Sequence, residues 1–218
     1  MKIKWCGHSA FLITSSSGIK IVTDPYEPGG YDGALSYGSI PDKIDISVVS
    51  HDHPDHNYVQ GLKGKPKVVK GPGTQEVSGV EFKGISTYHD TSQGKERGES
   101  TIFCFTIDNI ILCHLGDLGH SLSSNEVSEI GKVDLLMIPV GGFYTIDAKV
   151  ASEVMDSIKP LLVIPMHFKT EKCEFPITTV DDFVSGKTNV KKLDASEIEI
   201  TKDNLPTSTE IQVLKFAM

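Results

Sequence analysis

Ser50-His51-Asp52-His53-Pro54-Asp55-His56 is the stretch on which the reading of this chain turns. It follows Ile44-Asp45-Ile46-Ser47-Val48-Val49, a β-branched run of the kind that forms a short buried strand. His51 and His53 are two residues apart, so in extended chain their side chains share one side. Asp52 points the other way and reads as structural. Pro54 suits the first position of a helix, where its missing N–H costs nothing, which puts Asp55 and His56 in a first helical turn. Imidazoles and a carboxylate thus converge just past the strand's carboxyl end, where sites gather in α/β folds. Neutral imidazole and carboxylate are ligands that divalent zinc, iron and manganese accept.

Upstream of this stretch, residues 3–14 and 19–24 predict a hairpin around Ser15-Ser16-Ser17-Gly18. Residues 26–43 form a long loop with Tyr26, Tyr31 and Tyr37 interleaved among glycines, which reads as an aromatic lid over a pocket. Downstream, residues 54–62 predict a short helix, and 66–69 and 80–85 predict strands leading to Thr87-Tyr88-His89. Residues 91–99 are a polar loop. Asp108-Asn109 joins 101–107 to 110–115 as a hairpin ending in His114-Leu115-Gly116-Asp117. A buried strand over 133–139 runs into Val140-Gly141-Gly142-Phe143-Tyr144. Ala151, Val154, Met155 and Ile158 then follow helical spacing up to Pro160, and a strand over 161–165 delivers Met166-His167-Phe168. A helix over 176–185 and strands over 197–201 and 209–216 complete the prediction. With no linker or repeat, residues 1–218 are expected to form a single domain.

Composition narrows the function. The 218 residues are 39% hydrophobic and 23% charged, ordinary values for a globular protein. A net charge of −8 with no basic run repels a polyanionic backbone, so no nucleic-acid partner is expected. Small anionic substrates stay admissible, because a bound cation would set the local field. Cys6, Cys104, Cys113 and Cys173 show no CxxC spacing and read as reduced structural thiols. No signal-peptide pattern and no membrane-length apolar window stand out, so a cytoplasmic protein without a membrane partner is expected.

The HxHxDH stretch resembles the signature of the metallo-β-lactamase superfamily, and the resemblance runs over roughly residues 1–170. Within that superfamily the chain is similar to the small metal-dependent hydrolases grouped with L-ascorbate-6-phosphate lactonase. The Gly7-His8-Ser9, Thr23-Asp24-Pro25, Gly116-Asp117, Pro139-Val140-Gly141-Gly142 and Pro165-Met166-His167 stretches extend the likeness. The resemblance implies an α/β four-layer αβ/βα sandwich, the metallo-β-lactamase fold, with two mixed sheets face to face and helices outside. It implies two divalent metal ions per chain, zinc first, with manganese or iron as alternatives. His51, His53 and His89 would hold one, and Asp55, His56 and His167 the other, with Asp117 bridging. Asp24 would brace the ligand loop. His8 reads equally well as a residue approaching the metals and as a core histidine, while His114 and His120 receive no role. Leu118 stands where the family pattern has threonine, which removes a hydroxyl beside Asp117.

The implied activity is hydrolysis by a bridging hydroxide, with Asp55 orienting it and accepting its proton. Nuclease relatives need a basic arm or an added domain that this sequence lacks, so a small soluble substrate with a lactone, ester or amide bond is expected. Phosphodiester hydrolysis is the alternative. Di-iron redox relatives resemble HxExDH and carry a flavin domain; His53 replaces that glutamate here.

Overall fold

A computed structural model describes residues 1–218. β1 (Lys2–Gly7), β2 (Ala10–Thr14), β3 (Lys20–Thr23), β4 (Ile46–Val49) and β5 (Lys67–Lys70) lie side by side in chain order. β1, β2 and β3 are antiparallel neighbours, whereas β3, β4 and β5 run parallel. β6 (Gly73–Val77), β7 (Val80–Tyr88), β8 (Glu99–Ile107) and β9 (Ile110–His114) then form an antiparallel meander. α1 (Ser124–Ile130) leads to β10 (Leu135–Pro139), and α2 (Ala148–Ile158) to β11 (Leu162–Met166). These two strands continue the second sheet in parallel with β9. After α3 (Val180–Val184) come β12 (Val190–Lys192), β13 (Glu197–Glu199) and β14 (Glu210–Val213). β14 and β12 extend the larger sheet beyond β11, and β13 returns to the edge of the smaller one beside β1.

The two sheets share one large core. Ile3, Trp5, Phe11 and Ile13 from the smaller sheet join Phe82, Phe103, Leu112 and Ile164 from the larger. α2 buries Ala151, Val154, Met155 and Ile158, the predicted stripe, in that same core. Asp147 caps the helix by accepting Val150 N–H at 2.9 Å, and Lys159 closes it in the left-handed region ahead of Pro160. Alternate residues of the smaller sheet, Cys6, Leu12 and Val22, face outward into a second core. That face is covered by irregular chain carrying Tyr26, Leu35, Tyr37 and Phe175 rather than by a helix.

Several local expectations change. Residues 3–14 are two strands, because the chain turns at His8-Ser9 and β2 pairs back on β1. Residues 54–62 hold only a 3-10 turn at Val59–Gly61. Their backbone is tied to the neighbouring loop instead, with Tyr58 N–H donating to Pro25 C=O at 2.7 Å and Glu27 N–H to Pro54 C=O at 3.2 Å. The helix over 176–185 shortens to α3, since Ile177 joins the second core. α1 forms where no element is predicted, although Ser123 and Glu126 make its capping box, a pattern visible in the sequence. β6 and β12 have weak local patterns and form by pairing with β7 and β14. No helix is long and apolar enough to cross a membrane.

Candidate metal centre

The cluster sits where strands from both sheets end together. β4 runs into Ser50–His56, β7 into His89, β9 toward Asp117, β11 into His167, and β1 into His8. Backbone bonds sew these ends to one another: His167 N–H donates to His8 C=O at 3.1 Å and Thr101 N–H to Ser50 C=O at 3.0 Å. Close approach requires glycine at two positions. A Cβ on Gly141 would stand 2.3 Å from the His167 carbonyl oxygen, and one on Gly119 would stand 2.2 Å from the His89 carbonyl carbon. His8, Asp24 and His167 all take positive φ, near 50°, 38° and 50°, a strained conformation held by the surrounding packing.

All seven predicted ligands come together. The nitrogens of His51, His53 and His89 lie within 4.8 Å of one another, and so do donor atoms of His8, Asp55, His56 and His167. Asp117 stands between the sets: its Oδ2 is 3.1 Å from His56 Nε2, 3.1 Å from His89 Nε2, 3.4 Å from His167 Nε2 and 3.9 Å from His51 Nε2. His56 Nε2 and Asp117 Oδ1 are buried and have no hydrogen-bond partner. Nitrogens that crowd one carboxylate oxygen and leave buried atoms unpaired are arranged for a shared cation rather than for one another. The donor set therefore fits divalent metal ions.

Protonation favours the same use. Burial first, then His56, pushes the His51 imidazole down to about 3. Burial, then His167, pushes His8 down to about 4. Burial lowers His53 as well. These rings are neutral at pH 7 and present lone pairs. Burial works against the Asp117 and Asp55 carboxylates, yet the surrounding histidines outweigh it and hold both well below the usual carboxylate range. His56 is the exception: burial lowers it, but Asp117 and Asp55 raise it well above the ordinary value, so a cation would have to displace its Nε2 proton before that ring could serve as a ligand.

Asp24 does brace the loop. Its Oδ1 accepts Ser50 N–H at 2.7 Å; its Oδ2 accepts Ser50 Oγ–H at 2.7 Å and His56 Nδ1–H at 3.0 Å. Asp52 lies outside on an exposed contact with Asn57 and Lys70. His8, whose role was open, joins the second set with Nε2 3.1 Å from Asp55 Oδ2. His114 is structural, bonding Ser9 C=O at 3.0 Å and accepting Gly116 N–H at 3.1 Å. His120 accepts Tyr88 N–H at 3.3 Å and contributes no ligand. The lid expectation is corrected at two of its three tyrosines. Tyr26 and Tyr37 turn into the second core, and only Tyr31 reaches the cluster, donating to Asp55 Oδ1 at 2.8 Å.

A cavity of about 250 Å³ opens above the cluster. His53, Asp55, Asp117 and His167 line it, together with the aromatic rings of Tyr31, Tyr144 and Phe175 and the charged pair Glu96 and Arg97. The polar loop carrying Glu96 and Arg97 had no assigned part in the sequence, although Arg97 is the only arginine in the chain.

A family model described as the β-lactamase superfamily domain matches residues 2–167, from β1 through the last cluster histidine. The chain belongs to the metallo-β-lactamase superfamily. A solved superfamily member from Thermotoga maritima, named as a Zn-dependent hydrolase, superposes with a TM-score of 0.81 at 35% identity, covering 99% of each chain. Among curated relatives, a UPF0173 metal-dependent hydrolase from Pyrococcus abyssi is 29% identical over 195 residues, 78% of this chain and 85% of that one. A UPF0173 protein from Pyrococcus furiosus is 30% identical over 188 residues, 78% and 84% respectively. The superfamily match stops at His167, so the tail that supplies β12, β13 and β14 lies beyond it.

Proposed function

We propose that this protein is a metal-dependent hydrolase that holds two divalent cations, zinc first, and cleaves a lactone, ester or amide bond in a small molecule. The observation that carries the reading is the single Asp117 oxygen set 3.1–3.9 Å from a nitrogen of each of His51, His56, His89 and His167. Asp117, placed between the two imidazole sets, would be the residue that both cations share. His51, His53 and His89 would hold one cation; Asp55, His56 and His167 would hold the other, with His8 against Asp55. Such ions supply a Lewis acid for a carbonyl oxygen and make water a nucleophile at neutral pH.

The chain's own groups do the rest. Asp24 fixes the His56 ring, and Tyr31 and His8 hold the two oxygens of Asp55 at the cavity wall. Ionised there, Asp55 would orient the attacking water and accept its proton, by position rather than by raised basicity. The aromatic walls limit bulk water and seat an apolar part of the substrate. Elemental analysis of the purified protein and a screen of lactone, ester, thioester and phosphodiester substrates test the reading. Two metal ions per chain with turnover of a carboxylic ester or lactone are expected; metal binding without turnover of any such bond refutes it.

A further inference from the structure

The cavity carries a group that hydrolysis at the cluster does not use. Arg97 is the only arginine among 21 basic residues, and it lines the cavity together with His53, Asp55 and His167. It also lines a neighbouring cavity of about 350 Å³ with His51, His53 and Lys70. Arg97 and His53 therefore stand between two openings onto the same cluster.

The loop that carries Arg97 is built to keep it there. Asp90 directly follows His89 and accepts backbone N–H bonds from Ser92, Gly94, Glu96 and Arg97 at 2.7, 2.9, 3.0 and 2.8 Å. The loop closes on itself through Gly98 N–H to Gly94 C=O and onto the cluster through His89 N–H to Gly98 C=O, both 3.0 Å. The Arg97 backbone is thus anchored to the residue after a cluster histidine. Its guanidinium carbon lies 5.8 Å from the centre of the Tyr144 ring, at cation–π range. Tyr144 meets Phe175 edge-on at 5.6 Å, and Phe175 meets Tyr31 at 5.2 Å. One cation therefore stands at the end of an aromatic wall that starts beside Asp55.

The anion paired with Arg97 holds it loosely. Glu96 Oε2 is 3.6 Å from Arg97 Nη1, longer than a hydrogen bond, and the Glu96 side chain is 60% exposed. The other Glu96 oxygen accepts Ser92 Oγ–H at 2.8 Å. A guanidinium has five N–H donors in a planar fork that matches carboxylate or phosphate, and most of them remain free for a ligand.

We infer that Arg97 determines specificity: it receives an anionic group, carboxylate or phosphate, carried by a substrate whose scissile bond lies at the cluster and whose apolar part runs along Tyr31, Tyr144 and Phe175. This inference rests on the hydrolase reading. Three p-nitrophenyl esters of matched length test it on the metal-loaded protein: butyrate, neutral at its end; succinate, ending in carboxylate; and 3-phosphonopropionate, ending in phosphonate. Arg97→Gln should lower the preference for an anionic ester over butyrate by about 10- to 100-fold, chiefly through KM. Arg97→Lys should keep part of the preference, and Glu96→Gln should increase it. The ester with the larger loss identifies the anion. An unchanged preference in Arg97→Gln overturns the inference and leaves the hydrolase reading standing. If the wild type cleaves none of the three, these esters are not its substrates, and calorimetric titration with benzoate and phenylphosphonate decides the role of Arg97 independently. At least tenfold weaker binding to Arg97→Gln supports it, and equal binding overturns it.

Discussion

Replacing Asp24 by asparagine should disturb both halves of the proposed metal centre, although Asp24 is not one of its ligands. A carboxylate only accepts, so its partners must donate. Asp24 Oδ2 therefore faces His56 Nδ1–H and the Ser50 hydroxyl hydrogen, at 3.0 and 2.7 Å. With that hydrogen spent on Asp24, Ser50 Oγ accepts from His51 Nδ1–H at 2.9 Å. One carboxylate thus sets the tautomer of two rings and leaves Nε2 of each with its lone pair toward the cluster. Asparagine has one oxygen. Placed at the Oδ1 position, it keeps Ser50 N–H but turns an NH₂ toward His56 Nδ1–H. Placed at the Oδ2 position, it turns the NH₂ toward Ser50 N–H. A buried donor is orphaned either way, and a hydrogen bond to a charged group, about 1.5–3 kcal/mol, goes with it. The orphaned donor is part of that same loss, which is about 3 kcal/mol, a large share of a typical stability of about 5–15 kcal/mol. Metal affinity should fall about 10- to 100-fold through the misplaced Nε2 protons. Urea unfolding of the metal-free protein and competitive metal titration measure the two effects. Ser50→Ala breaks only the relay to His51 and should weaken the His51, His53 and His89 set while sparing the other. An Asp24→Asn protein within about 1 kcal/mol of wild type that binds both ions with unchanged affinity refutes the tautomer argument.

Asp55→Asn should retain metal in the three-histidine set while activity per bound metal pair drops by about 10²–10⁴; unchanged activity per pair would make Asp55 a ligand only. Asp117→Ala should reduce occupancy of both ions, and His167→Ala mainly that of the second, as read by elemental analysis; full occupancy in the Asp117 variant sinks the bridge. Burial pushes Asp90 upward, but its four backbone N–H bonds outweigh that and hold it at about 2. Because the folded value lies below the unfolded one of about 3.9, this stabilisation is complete above about pH 4 and is lost as pH falls toward 2. Urea midpoints at about pH 5 and about pH 2.5 should therefore differ less in Asp90→Asn than in wild type, and an equal difference would remove Asp90 from the account. Gly141→Ala puts a Cβ 2.3 Å from the His167 carbonyl oxygen and should destabilise the fold by about 1–3 kcal/mol. Its thermal unfolding checks this, and a wild-type Tm would show that the two loops can part without loss.

The sequence by itself determined whatever depends on chemistry within a few residues. The HxHxDH stretch, the Asp108-Asn109 hairpin, the α2 stripe and the histidines at the ends of β7 and β11 were legible because period, turn chemistry and strand ends are local signals. The superfamily likeness extended that reading to Asp117 and to two facing sheets. Only the tertiary structure decided the rest. His8 meets Asp55 across 47 residues, and no local pattern separates a core histidine from one that a distant carboxylate receives. Residues 54–62 lost their predicted helix to backbone partners at Pro25 and Glu27. Tyr26 and Tyr37 were drawn off the cluster by the apolar outer face of the small sheet, whose area outweighs the preference of a loop for solvent. Arg97 reads as one charge in a polar loop until Asp90 folds that loop back and Tyr144 arrives from beyond β10. Such placements follow from closing long loops around a shared core, and that closure is a property of the whole chain, which no short window of residues contains.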